Sequence, residues 1–250
     1  MASFVVAVVF LKGSRTRKDE ISVSPIDRYR RPADLSPRIP LFPLRGAILL
    51  PRATLPLNVF EPRYLQMLDD VMAGDRLIGI VQPATGEGSE DEDSHLGRSV
   101  SLRSVGCVGR VTTYQEVEDG RLVVTLTGVA RYDVIEDVSA DKPYRVASVN
   151  YDRFAADLNE GLGEEQVDRA NLLHVLRSYL DANKLDADWA AIQRASSEFL
   201  INALCVMCPY GPEEKQALLE AEDLKSRADV LVALAEMELV SSSGSGGTLQ

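Results

Sequence analysis

Two cysteines three positions apart, Cys205-Val206-Met207-Cys208, come closest to a reactive constellation in this 250-residue chain. A C-x-x-C pair serves as a dithiol redox couple or as half of a zinc site. Redox pairs gain reactivity when the first sulfur lies at a helix N-terminus, where the backbone dipole favours thiolate. Here both cysteines fall at the C-terminal end of a predicted helix, where the dipole opposes it. Zinc would need two more ligands, and the other cysteine and the histidines are Cys107, His95 and His174. The plainer reading is a pair of small, partly buried helix residues. His95 falls in a polar loop and His174 on the flank of an amphipathic helix, places that suit surface or packing roles. No serine stands in G-x-S-x-G and no G-x-x-x-x-G-K-[ST] occurs, so neither a hydrolase elbow nor a phosphate loop is written here. The residues assign no catalytic group, no cofactor and no metal.

The elements that must position any site are easier to read. Ile39–Leu44 and Leu55–Phe60 are apolar, proline-punctuated runs on either side of a turn region carrying Gly46 and Pro51. Glu61-Pro62-Arg63-Tyr64 then opens a helix over Pro62–Met72, with proline at the first position, where the N–H has no intrahelical partner. Tyr64, Leu65, Leu68 and Val71 recur at helical spacing, and Gly74 stops the run. Leu77–Gln82 is a buried strand. Val105–Glu118 and Arg121–Ile135 flank Asp119-Gly120, a strong hairpin signal because both turn residues must accept positive φ. Gly106, Gly109 and Gly128, inside strand patterns, mark bulges or bends where a sheet curls. Tyr144–Tyr151 is one more strand. Beyond it the period becomes helical, over Val167–Leu180, Asp188–Met207, Glu213–Ala221 and Leu224–Leu239.

The expected fold is therefore α+β. A strongly bent mixed β-barrel with one inserted helix occupies 38–151, and a helical bundle occupies 165–239. A basic flexible arm (1–37), an acidic linker (152–164) and a flexible tail (240–250) complete the chain; arm and tail lack the periodicity needed to bury surface and are expected to be dispensable for folding.

With 45% hydrophobic and 26% charged residues, the chain can bury a sizeable core. Its net charge of −11 is uneven: residues 1–38 carry eight basic against four acidic side chains, which leaves fifteen net negative charges on 39–250. A body that acidic repels phosphate, which disfavours nucleic acid. The opening MASFVVAVVFL is too short to span a bilayer and lacks the leading charge and cleavage site of a secretory signal. It reads as an unstructured or misassigned extension, with a degenerate signal as the alternative, and three scattered cysteines suit a reducing cytoplasm. The stretch 84–98, with Glu90, Asp91, Glu92 and Asp93, reads as a solvated loop and lacks the ligand spacing of a calcium loop.

Three stretches, Ile39-Pro40-Leu41-Phe42-Pro43-Leu44, Leu55-Pro56-Leu57-Asn58 and Phe60-Glu61-Pro62-Arg63-Tyr64, together resemble the N-terminal substrate-binding domain of the ATP-dependent Lon proteases. The resemblance continues through Val105-Gly106-Cys107, Gly109-Arg110-Val111, Asp119-Gly120-Arg121, Leu126-Thr127-Gly128-Val129, Trp189, Pro209 and Glu214–Glu220, so it spans about 38–238. It implies a PUA-like pseudo-barrel followed by helices, in a free-standing copy without the ATPase and serine–lysine protease domains. It implies non-catalytic protein binding in protein quality control: capture of unfolded or tagged protein substrates, or contact with a protease. The expected surface is an apolar groove between barrel and helices, with Arg63 and Tyr64 as candidate contacts; each of these two also has a local structural reason to be where it is. A thiol- or metal-linked sensor at Cys205 and Cys208 is the alternative, and RNA binding by the barrel a third reading that the acidic body opposes. Client and oligomeric state are not written in the residues.

Overall fold

The computed structural model describes residues 24–84, 100–117, 120–139 and 141–244. Its strands are β1 (Arg38–Pro43), β2 (Thr54–Val59), β3 (Leu77–Pro83), β4 (Leu102–Glu116), β5 (Leu122–Asp137) and β6 (Arg145–Asn150). They form one mixed sheet in the order β2-β5-β4-β3-β1-β6, with β1 and β3 parallel and the other pairs antiparallel. The sheet curls until β6 also pairs with β5. The 16-residue β5 makes this possible: its first half carries β2, from Leu122↔Val59 to Thr127↔Thr54, and its second half carries β6.

Register shifts at Val108/Gly109 and Val111/Thr113 bend β4 against β5, where Gly109 faces Gly128. The strand glycines also permit close approach: a Cβ on Gly128 would sit 2.0 Å from the Leu50 carbonyl oxygen. In the expected hairpin turn, Gly120 has φ +78°, while Glu118 and Asp119 lie outside the described residues.

Helix α1 (Pro62–Met72) buries Tyr64, Met67, Leu68 and Val71. The remaining helices are α2 (Arg169–Ala182), α3 (Trp189–Arg194), α4 (Ser197–Met207), α5 (Pro212–Glu220) and α6 (Leu224–Gly244). The single helix expected over Asp188–Met207 is two. Ala195 leaves helical geometry at ψ 145°, and the Ser196 side chain accepts from the Phe199 N–H, an N-cap that starts α4 afresh.

Three of the segment boundaries expected from sequence need correction. Residues 152–164 are not a free linker: Asp152–Leu158 and Glu164–Gln166 are 3-10 turns, and Phe154 and Asp157 are buried. The arm reading does not hold for residues 24–37, because Ile26, Tyr29 and Leu35 are buried in a core cluster with Ile39, Tyr132 and Tyr151. Tyr151 also donates its hydroxyl to the Ser36 carbonyl, and Arg110 donates to the Tyr29 hydroxyl. The last helix continues through residues 240–244. The apolar opening before Ser24, the acidic stretch 85–99 and residues 245–250 lie outside the described residues.

The main core does not separate barrel from helices. Phe42, Ile48, Leu50, Val59, Leu68 and Leu126 share one buried cluster with Leu176, Ile192, Ile201, Leu218 and Leu231.

Candidate protein-binding surface

The Pro62 helix start brings Arg63 and Tyr64 together in an unequal pair. Tyr64 is 2% exposed and stacks on Phe42, with ring centroids 4.1 Å apart. Burial pushes its hydroxyl up to about 12. The Arg63 guanidinium lies 4.9 Å from the Tyr64 ring centroid and donates to Glu61 Oε2 from Nε at 2.9 Å and Nη2 at 2.6 Å. Tyr64 thus presents almost no side chain outward, while half-buried Arg63 remains reachable.

Among the described residues, polar side chains close the junction between sheet and helices at this shared core. Gln82 on β3 donates to Pro212 O at 2.9 Å and Gln216 Oε1 at 3.0 Å on α5, and accepts from Gly46 N. Arg131 on β5 pairs with Asp157 and donates to Leu219 O and Ala221 O at the end of α5. Arg227 on α6 donates to Leu218 O and Asn202 Oδ1, and Asn202 in turn donates to Pro51 O. Arg52 forms an ion pair with Glu198 at the start of α4. A buried junction must satisfy its helix-end carbonyls, and Arg131 and Arg227 do so. At this junction the described residues form a polar seam where an apolar groove was expected. Arg131 stands as a single charge inside the apolar pattern Val129-Ala130-Arg131-Tyr132, an available signal, whereas Arg227 lies in a charged run that gives none.

Cys205 and Cys208 lie where the sequence placed them, on α4 and at its C-terminal cap, both buried free thiols. Burial pushes each up to about 12, so both stay protonated at neutral pH. Lys215 of α5 donates from Nζ to the Cys205 and Val206 carbonyls at 2.8 and 2.6 Å, capping that helix end. Desolvation pulls the Lys215 ammonium down to about 8, opposed by the neighbouring sulfurs. Cys107 is buried on β4, and His174 is on an exposed position of α2. Among the described residues, no group of three or more His, Cys, Asp or Glu side chains is placed to hold a metal ion. His95 lies outside the described residues.

What remains open is elsewhere. Strand β2 ends the sheet order and pairs on one side only among the described residues. Phe60, the residue after it, is 62% exposed, and Val123 on the neighbouring strand is 37% exposed. A groove of about 500 Å³ lies between residues 24–30, Arg52, Val129 and residues 158–160, lined by both apolar side chains and charges of either sign. A free strand edge beside an exposed aromatic ring can hold an extended backbone.

Residues 38–236 match the model of the ATP-dependent protease La (LON) substrate-binding domain. A Lon protease of Flavobacterium johnsoniae is 27% identical over 197 residues, covering 78% of this chain and 23% of its own length. Lon protease 2 of Myxococcus xanthus is 26% identical over 205 residues, covering 80% and 24%. The chain thus spans about a quarter of the length of these curated relatives. Among solved structures, a Lon N-terminal domain protein from Xanthomonas campestris superposes with a TM-score of 0.54 at 22% identity, covering 78% of this chain and 97% of that one. The N-terminal domain of Mycobacterium avium complex Lon protease gives 0.55 at 16% identity, covering 80% and 98%. These two likenesses bear on the fold.

Proposed function

The chain belongs to the Lon substrate-binding domain family, and on that premise we propose that it is a non-catalytic protein-binding module for unfolded or tagged protein clients. The observation that carries this reading is the match over 38–236, which corresponds to the substrate-binding part of a multi-part protease. The geometry supports it. Among the described residues, the unpaired β2 edge and the exposed side chains of Phe60 and Val123 offer a contact surface for another polypeptide. Arg63 is a candidate client contact, its guanidinium held over the Tyr64 ring and by Glu61.

Contact is driven mainly by apolar burial, while the net charge of −11 draws basic partners by long-range attraction that salt weakens. The barrel and helices act as one unit in the cytoplasm, and nucleic acid is not a partner. The test is binding of a permanently unfolded model protein, reduced and carboxymethylated, at low and high salt. Binding that largely survives high salt supports the reading, and complete loss by moderate salt makes the contact electrostatic. Binding to an intact protease with none to unfolded chains replaces the substrate receptor with a regulator of proteolysis. Incubation with ATP, magnesium and casein is expected to release neither phosphate nor peptides.

A further inference from the structure

We infer that the open edge of β2 is where the client docks, an extended apolar segment of the unfolded chain adding itself as one more strand. This rests on the protein-binding reading above and specifies what is bound and through which atoms.

The phase of the edge follows from Pro56. It pairs with Thr125 of β5 inside the β2 ladder and has no N–H to give. Proline is tolerated in a strand where its missing donor faces away from the neighbouring strand. Thr54, Pro56 and Asn58 therefore turn their backbone groups outward, and Leu55, Leu57 and Val59 turn theirs toward β5. Unpaired among the described residues, this edge offers three carbonyl oxygens, at 54, 56 and 58, and two N–H donors, at 54 and 58. Asn202 of α4 donates to Pro51 O just before the strand, so the freer end is Pro56–Phe60. Side chains follow the same alternation: Leu57 and Val59 are buried, and Pro56, Asn58 and Phe60 are exposed. Phe60 gives an added strand an apolar cross-strand neighbour.

Backbone groups lacking partners on a strand edge are matched by another extended backbone. Two observations favour a client over a second copy of β2. A two-fold antiparallel pairing centred on Pro56 sets two donorless residues opposite each other in the middle of a six-residue edge. Moreover, residues 39–250 carry fifteen net negative charges, so two copies repel while a client with basic flanks is attracted. The preferred segment is a proline-free run of β-branched and aromatic residues bordered by Lys or Arg.

The test uses the full chain and a labelled peptide of alternating Val and Thr with lysine at each end. Two versions are N-methylated at every second residue, in opposite phases. Strand addition predicts that one phase weakens binding by about ten-fold or more while the other stays within about two-fold, since each lost backbone bond removes up to about a factor of ten. Asn58→Pro removes an outward donor without touching the β5 ladder. It is expected to weaken the peptide by a similar factor with an unchanged circular dichroism spectrum and melting temperature; unchanged affinity overturns the inference. If Asn58→Pro fails to fold, Phe60→Glu with the two methylated peptides decides. Equal effects of both phases, or an unfolded protein that binds while the peptide does not, overturn the edge and leave the protein-binding reading standing. No binding of either probe overturns both. Concentration-dependent dimerisation that Asn58→Pro abolishes assigns the edge to a second copy and overturns the inference.

Discussion

Arg131 holds Asp157 in a two-pronged grip, Nε on Oδ2 at 2.9 Å and Nη2 on Oδ1 at 2.8 Å, with both side chains buried. The same guanidinium donates to Leu219 O and Ala221 O, so one side chain ties β5, the turn after β6 and the end of α5. Asp157→Ala leaves Arg131 uncompensated beside a second buried arginine, Arg227. Breaking one partner of a buried pair costs roughly 3–5 kcal/mol, and replacing both with apolar groups costs much less. Urea unfolding should therefore find Asp157→Ala far less stable, and Arg131→Met/Asp157→Leu closer to the wild type. A single substitution costing less than about 1 kcal/mol refutes this account of the seam.

Removing residues 1–37 should be costly. Ile26, Tyr29 and Leu35 are buried against the barrel, and each such side chain contributes roughly 1.5–3 kcal/mol as an upper estimate. A chain beginning at residue 38 should melt lower by about 10 °C or more, and one beginning at Ser24 should retain those contacts. Equal melting points for chains beginning at residues 38 and 24 would show that the segment is bound too loosely to matter.

That segment marks where sequence reading stops. Apolar runs, turn signals and helical spacing located the six strands of the described residues and most of their helices, because those signals are local. Ile26, Tyr29 and Leu35 have no shared period, and what buries them is the distant patch around Tyr132 and Tyr151. The same limit hid the closed junction. An acidic stretch such as 152–164 reads as solvated until Arg131, more than twenty residues earlier, is seen to claim Asp157. Strand β2 was legible as a strand from its apolar, proline-punctuated run. That β2 ends the sheet rests on the long-range pairing of β5.

Lys215 predicts a pH signature. Its folded value is pulled to about 8, below the ordinary lysine range, so the folded chain gives up this proton before the unfolded chain does. Between about pH 8 and 10 the unfolded state binds more protons, and this residue's contribution to stability rises with pH. Buried Cys205 and Cys208 act oppositely, since thiols raised to about 12 lose stability above their unfolded values near 8.5. Comparison with Lys215→Met separates the two. The wild type should gain on the variant, by on the order of 2 kcal/mol, as pH rises from 8 to 10. A constant difference across that range would mean that Lys215 is not desolvated.

The cysteines should behave as packing residues. A thiol reagent should leave Cys107, Cys205 and Cys208 unmodified in the native chain and label all three in denaturant. Cys205→Ala/Cys208→Ala should cost stability, about 1–3 kcal/mol in all for small buried side chains, and leave client binding unchanged. Stoichiometric zinc in the wild type, lost together with binding in the double variant, would restore the sensor reading.

Gly128 should tolerate no side chain. A Cβ there would sit 2.0 Å from Leu50 O and 2.7 Å from Leu50 C, both backbone atoms. The loop cannot simply retreat, because Arg52 N donates to Gly128 O and Gly128 N donates to Ala53 O, each at 2.9 Å. Relief must break one of those bonds or shift β5 against β2. Overpacking of this kind costs roughly 1–3 kcal/mol and sometimes more, which outweighs the few tenths that Gly→Ala gains from a stiffer unfolded chain. Gly74 is the control, since its Cβ would make only ordinary contacts, 3.8 Å from Asp70 O and 3.9 Å from Val71 O. In thermal melts Gly128→Ala should fall by several degrees while Gly74→Ala stays close to the wild type. If Gly128→Ala melts with the wild type, the loop from Ile48 to Ala53 is free to move, and the start of β2 is not anchored as these contacts require.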